Sequence, residues 1–347
     1  RIGYRKWQTD NNQRRYYISW KVHAFPAGTS CNFFRATGAH TVLQYKEVNE
    51  SLLRTRNSGG FQLLGLADFP GQGSAFVGIL DAFWESKGLV TPEKFRESCA
   101  PTVLLARLPK RTFRNREKLK AKMEIYHFGK DALNSRKLNW TLIGEDGTVY
   151  HKGSLKTKSI QPATVDSLGI IELPLNGMDS ARKLTLKAEL GGIHNEWDVW
   201  VYPEQPKTEQ HNFVYTRTWN DETKQWLNEG KNVLLIPEKC KGRKAHFASH
   251  FWNPIMFNWN PMIVGTLIDN EHPAFRDFPT RNYADWQWWD ILNYSTALEL
   301  DELKEITPLI QSIDSYETNQ KLGISFEAKV GKGKLLRALC RSGKENR

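Results

Sequence analysis

Asp68, Phe69 and Gln72 set a carboxylate, an aromatic ring and a carboxamide close together in "GGFQLLGLADFPGQG", residues 59–73. Carboxylate and carboxamide groups exchange hydrogen bonds with hydroxyls, and an aromatic face packs on C–H surfaces. The set therefore suits a polar, ring-shaped ligand. Residues 61–66 read as a short buried strand, too brief for a helix and bounded by glycines. In parallel α/β architectures ligands sit at the carboxyl ends of strands, where loops are free to carry chemistry. The same residues also describe a strand followed by a polar turn, with Asp68 capping the turn and Phe69 packing beneath it. Trp84, in "DAFWESKG", is a further aromatic candidate nearby.

Tryptophan is the unusual component. The chain has thirteen, with Trp286, Trp288 and Trp289 together in "WQWWD", and Trp252 and Trp259 shortly before them. Tryptophan offers the largest face for stacking on a sugar ring, together with a polar N–H. The alternative account is that most of these rings fill a core between a sheet and irregular loops.

Other chemistries find little support. The four cysteines, Cys31, Cys99, Cys240 and Cys340, are far apart and form no CxxC pair, so neither a metal site nor a disulfide framework is expected. Cys240 follows a strand, but in "PEKCKGRK" it lacks the small flanking residues of a nucleophile elbow. No catalytic residue, metal ligand or cofactor is expected. The net charge of +11 is spread along the chain, and its densest run, residues 108–122, reads as solvated charge over a domain junction. No nucleic-acid motif accompanies it, so no nucleic-acid partner is expected. No segment is long and apolar enough for a membrane span, and the first residues, "RIGYRKWQTDNNQRR", do not read as a signal peptide. Localisation, periplasmic or cytoplasmic, and oligomeric state stay open.

The 347 residues divide into three parts. Residues 1–110 contain a helix over 33–56, with Val42, Leu43, Val48, Leu52 and Leu53 as its apolar positions. The buried strand and loop follow, then a short helix from Pro92 with Thr91 as its cap. Helix, strand, loop and helix form one unit of a (β/α) barrel, and residues 1–32 fit no pattern. Residues 111–205 change period: Leu119, Ala121, Met123 and Ile125 alternate with polar partners, and a hairpin turns at Glu145–Gly147. These strands read as an immunoglobulin-like β-sandwich. Residues 206–347 return to strand–helix–strand over 212–237, with Asn220 capping and Gly230 ending the helix, and close with a hairpin about residues 331–333. That part reads as a flavodoxin-like α/β domain without catalytic function. The expected fold class is therefore multidomain: the last βα unit of a (β/α)8 barrel, a sandwich and an α/β domain.

Residues 59–111, with "DFPGQG" and "DAFWESKG", resemble the end of the catalytic barrel in bacterial glycoside hydrolase family 2 proteins of the β-galactosidase-like, sugar-binding branch. The following sandwich and the segments "NYADWQWWD" and "LGISFEAKVGKGKLL" are similar to the C-terminal part of that branch. The resemblance implies retaining hydrolysis by two glutamates about 5 Å apart. Neither is found: Glu50, in "VNESL", lies on a helical pattern rather than after a strand. The chain is thus expected to be the C-terminal piece of a larger enzyme, unable to turn over alone. Asp68, Phe69, Gln72 and Trp84 would then form the rim of a sugar subsite. A non-catalytic carbohydrate-binding or scaffolding module, with its tryptophans forming the site, is the other reading.

Overall fold

Alternation of apolar and polar residues shapes the middle of the molecule. A computed structural model describes residues 29–58, 60–63, 65–68, 78–134, 137–205, 212–248, 263–314 and 318–341. In it, strands β1 (Thr102–Arg107), β3 (Lys118–His127) and β6 (Thr164–Pro174) form one antiparallel sheet. Strands β2 (Thr112–Arg114), β8 (Ile193–Tyr202), β7 (Arg182–Leu190), β4 (Lys137–Gly144) and β5 (Val149–Lys156) form a second, in that order. β2 pairs with β8 in parallel and the remaining neighbours are antiparallel.

Leu119, Met123 and Ile125 of the first sheet meet Leu138, Leu142, Leu184, Leu186, Trp197 and Val199 of the second in one buried core. The β4–β5 hairpin turns where Gly147 takes a φ of +83°, a conformation that only glycine adopts without strain. This two-sheet arrangement fits the immunoglobulin-like description only loosely.

β1 buries both its faces. Leu104 and Ala106 enter the sandwich core, while Val103 and Leu105 pack outward on Leu53. Leu53 ends helix α1 (Thr29–Leu53), whose inner side carries Phe33, Ala36, His40 and Glu50. The spacing of three to four residues between the first of these positions keeps them on one face. Two residues expected on the apolar face, Val48 and Leu52, are instead exposed. Glu50 is buried and joins the helix to the sandwich. Its carboxylate accepts from Lys46 Nζ (2.5 Å), Trp197 Nε1 (2.9 Å), Asn195 Nδ2 (3.0 Å) and Arg54 Nη2 (3.5 Å). Helix α2 (Pro92–Arg96) begins as expected, with Thr91 Oγ1 accepting the Lys94 N–H at 3.2 Å.

The third part is one mixed sheet. β9 (Phe213–Thr216), helix α3 (Asp221–Asn228) and β10 (Asn232–Leu235) form a parallel strand–helix–strand unit, and Asn220 caps α3. β16 (Gly333–Arg337) lies parallel to β10 and makes a hairpin with β15 (Lys321–Val330). Beyond β15 the pairing is antiparallel, through β14 (Pro308–Asp314) to β12 (Ile263–Ile268) and through β13 (Ser295–Glu299) to β11 (Arg243–Lys244) and β17 (Cys340–Arg341). The short helix α4 (Trp289–Asn293) precedes β13.

These elements overturn the expected fold class. The structure is predominantly β-sheet with few helices and is not a fragment of a (β/α)8 barrel. Among the described residues, 61–66 form no strand. Gly60 and Gly65 sit at φ of +123° and +90°, outside the extended region, and only the single bridge Ala67–Leu80 pairs nearby. An isolated apolar run has no neighbouring strands to satisfy its backbone groups, so it settles as a loop. The flavodoxin-like expectation fails because parallel pairing stops at β16 and α3 is a single helix of eight residues. The cysteine reading is corrected too: Cys240 and Cys340 form a disulfide, with their Cα atoms 6.4 Å apart.

Candidate functional site

Strand alternation that buries Leu184, Leu186 and Trp197 necessarily turns Lys183, Thr185, Lys187, Glu196 and Asp198 outward. Residues Thr185 and Asp198, and Lys187 and Glu196, stand opposite each other across β7 and β8. This outer polar face is only partly covered, with Lys187 exposed and Thr185, Glu196 and Asp198 half-buried. It forms the floor of a cleft of about 540 Å³, walled by α1 (Val42, Leu43, Lys46, Glu47), by Lys94 and Phe95 of α2, and by Arg281, Tyr283 and Trp286.

The charges on the cleft wall are paired. Lys183 contacts Asp198 (3.0 Å) and Glu145 (3.5 Å), and Thr185 Oγ1 donates to Asp198 Oδ1 (2.7 Å). Lys94 bridges Glu196 and Glu97, each at 2.6 Å. Arg111 and Arg54 both hold Glu47 at 3.0 Å, and Arg281 reaches Glu145 at 3.6 Å. Burial opposes the charge on Lys94, but the Glu196 and Glu97 carboxylates outweigh it and hold the ammonium above its usual pKa. Burial likewise opposes ionisation of Glu196, and Lys94 and Lys187 overcome it, so that carboxyl stays below its usual range. The site is a lattice of fixed donors and acceptors, with the faces of Phe95, Tyr283 and Trp286 between them.

Behind this wall lies Asp285, which is buried and caps a short 3-10 turn by accepting the Gln287 N–H at 3.3 Å. Its carboxyl is pushed up to about 7, chiefly by burial and further by Asp198, against the hydrogen bonds from Gln287 and the charge of Lys183.

Of the residues expected to form a sugar rim, Asp68 and Trp84 are among the described residues, and neither lines this cleft. Asp68 is buried, accepting from Lys87 Nζ at 2.7 Å and from the Gly78 N–H at 2.9 Å. It thereby ties residue 68 to Gly78 and Lys87. Gly78 lies so close that a Cβ there would come within 2.4 Å of the Asp68 nitrogen. Phe69 and Gln72 lie outside the described residues, as do Trp252 and Trp259. Trp84 is 69% exposed with a φ of +64°, and it does not line the cleft. Of the tryptophan cluster, Trp288 is core, Trp289 is half-exposed, and Trp286 alone reaches the cleft. The sequence signal for the site was the polar half of "KLTLKAEL" and "NEWDVW", which reads as solvated when each strand is considered separately.

Residues 214–346 match the family described as "Domain of unknown function (DUF8487)", and residues 117–203 match "Domain of unknown function (DUF8488)". Each match covers less than half of the chain. The comparison with curated proteins found no match. Among solved structures, the sporulation control protein Spo0M of Bacillus subtilis is similar over 30% of this chain and 50% of its own, at 16% identity and a TM-score of 0.24. The chain thus spans half the length of that relative. An alkylpurine DNA glycosylase of Pseudomonas fluorescens, AlkC, is similar over 30% of this chain and 31% of its own, at 7% identity and a TM-score of 0.24. A CARDB domain from Pyrococcus furiosus is similar over 30% and 94%, at 12% identity and a TM-score of 0.23. Among the described residues, no cluster of metal-ligating side chains occurs and no helix is long and apolar enough to cross a membrane.

Two outcomes test this description. Lys87→Met removes the cation from the buried Asp68 carboxylate, which keeps the Gly78 N–H, and is expected to cost about 3 kcal/mol in urea unfolding, with much of the loss recovered in the Asp68→Asn, Lys87→Met double variant. A loss under about 1 kcal/mol, or no recovery, contradicts the pairing. For Asp285, the folded pKa lies above the unfolded value. Its contribution to stability is therefore complete below about pH 4 and is lost as pH rises through about 7. Asp285→Asn mimics the neutral carboxyl. Between about pH 4 and about pH 7 it is expected to gain on the wild type, by roughly 1.4 kcal/mol for each tenfold fall in proton concentration. Parallel stability curves would contradict it.

Proposed function

We propose that this chain binds carbohydrate in the cleft between α1 and the outer face of β7 and β8, as a non-catalytic part of a glycoside hydrolase-like protein. The observation that carries the reading is the lining itself: carboxylates, ammonium and guanidinium groups alternate around a cleft of about 540 Å³, with aromatic faces among them. A neutral sugar presents hydroxyls that both donate and accept, and C–H faces that stack on rings. It can use such a lattice without having to match a single net charge.

Bond cleavage is assigned to no residue of this chain. A retaining mechanism needs one carboxyl free to attack and a second able to exchange a proton. Glu47, Glu196 and Asp198 are each engaged by cations, which suits them to hold a ligand rather than to react with it.

Isothermal titration of the full chain with neutral oligosaccharides tests the proposal, the sugars being chosen from a glycan-array screen. Trp286→Ala is expected to weaken binding by up to about tenfold, the value of one aromatic stacking contact of about 0.5–1.5 kcal/mol. Trp84→Ala is expected to leave it unchanged. An array with no neutral glycan bound overturns the proposal, as does loss of binding in Trp84→Ala alone, because Trp84 does not line the cleft.

A further inference from the structure

The disulfide between Cys240 and Cys340 closes a clasp around one strand. Cys340 lies in β17 and Cys240 in the loop leading to β11, and these two strands flank β13 on opposite sides. Thr296 of β13 stands opposite Cys340 on one side and Lys244 on the other. The two residues differ in exposure: Cys340 is fully buried, whereas Cys240 is half-buried.

Arg337 sits beside this bond and is 2% exposed. Its Nη2 donates to Cys240 Sγ at 3.1 Å and its Nη1 to the Ile324 carbonyl, while its Nε has no hydrogen-bond partner. Among the described residues, no carboxylate pairs with it. Burial pulls the guanidinium down to about 10, with nothing offsetting it. A buried charge without a counterion is strongly unfavourable. In the disulfide form both neighbouring sulfurs are neutral, so the charge stays uncompensated. In the dithiol form a Cys240 thiolate would supply the missing anion at hydrogen-bond distance.

We propose that Cys240–Cys340 is a reducible clasp, in which Arg337 stabilises the Cys240 thiolate and thereby favours the dithiol form. An external dithiol supplies the electrons. Its thiolate attacks the sulfur of Cys240, the more exposed residue of the pair, the S–S bond breaks, and Cys340 leaves as a thiolate and takes a proton. The second thiol of the reductant, as its thiolate, then displaces Cys240 from the mixed disulfide. The reductant ends as a disulfide, Cys340 as a thiol and Cys240 as a thiolate paired with Arg337, with one proton released to solvent. Opening the clasp frees β17 from its covalent tie to the β11 side of β13.

The test is an equilibrium titration of the full chain in mixtures of reduced and oxidised dithiothreitol, with differential alkylation read by peptide mass spectrometry. Cys31 and Cys99, which are free thiols, serve as internal standards. Peptides containing Cys240 and Cys340 are expected to be linked before reduction. Arg337→Met is expected to make the bond roughly tenfold harder to reduce, a shift of about 30 mV. An unlinked pair, or an unchanged equilibrium, overturns the proposal. If Arg337→Met does not fold, the pH dependence of Cys240 alkylation in the reduced wild type decides. A midpoint below the ordinary thiol value of about 8.5 supports the proposal, and one at or above it overturns it.

Discussion

The buried carboxylate of Glu50 is the constraint on which the rest of the structure depends. A carboxylate in that position is tolerable only if its oxygens are filled by donors, and four side chains do so. Two of them, Lys46 and Arg54, come from its own helix and the residue just beyond it, and two, Asn195 and Trp197, come from β8. Asn195 extends the connection by donating to the Leu104 carbonyl of β1 at 2.7 Å. One side chain thus ties α1 to a strand of each sheet, β8 directly and β1 through Asn195. The cleft is the space left between that helix and the outward side chains of β7 and β8, so its width follows from the same contact.

The paired charges along the cleft extend this logic. Glu47, one turn before Glu50, is held by Arg54 and Arg111, which joins helix to sandwich a second time. Lys94 and Arg281 bring the α2 segment and the third part of the chain into the same lattice through Glu196 and Glu145. Exposed ion pairs contribute little individually. Here their value is positional, because they fix donors and acceptors in a half-buried hollow before a ligand arrives. The proposed sugar would meet a site that needs little rearrangement, which lowers the entropic cost of binding.

Strand alternation was the legible part of the sequence. Leu119, Met123 and Ile125, the Glu145–Gly147 turn, the Asn220 cap and the β15–β16 hairpin all follow from local rules of period, turn chemistry and capping. What could not be read locally was anything set by distant partners. The apolar run at 61–66 looks like a strand in isolation, and among the described residues no strand pairs with it. Glu50 reads as a surface residue of a helix until Trp197 and Asn195 are brought against it. Asp68 has the composition of a ligand group, yet the proximity of Lys87 makes it a structural one. Cys240 and Cys340 are 100 residues apart, and no spacing rule links them.

Amide hydrogen exchange on the Glu50→Ala variant measures the central claim most directly. With the carboxylate gone and Trp197 Nε1 deprived of its acceptor, the amides of α1 are expected to exchange much faster than in the wild type, while those of β5 and β6, the strands furthest in their sheets from β8 and β1, keep their protection. Unchanged protection along α1 would contradict the account, because the helix would then be held by its apolar contacts alone and the cleft would not depend on that carboxylate.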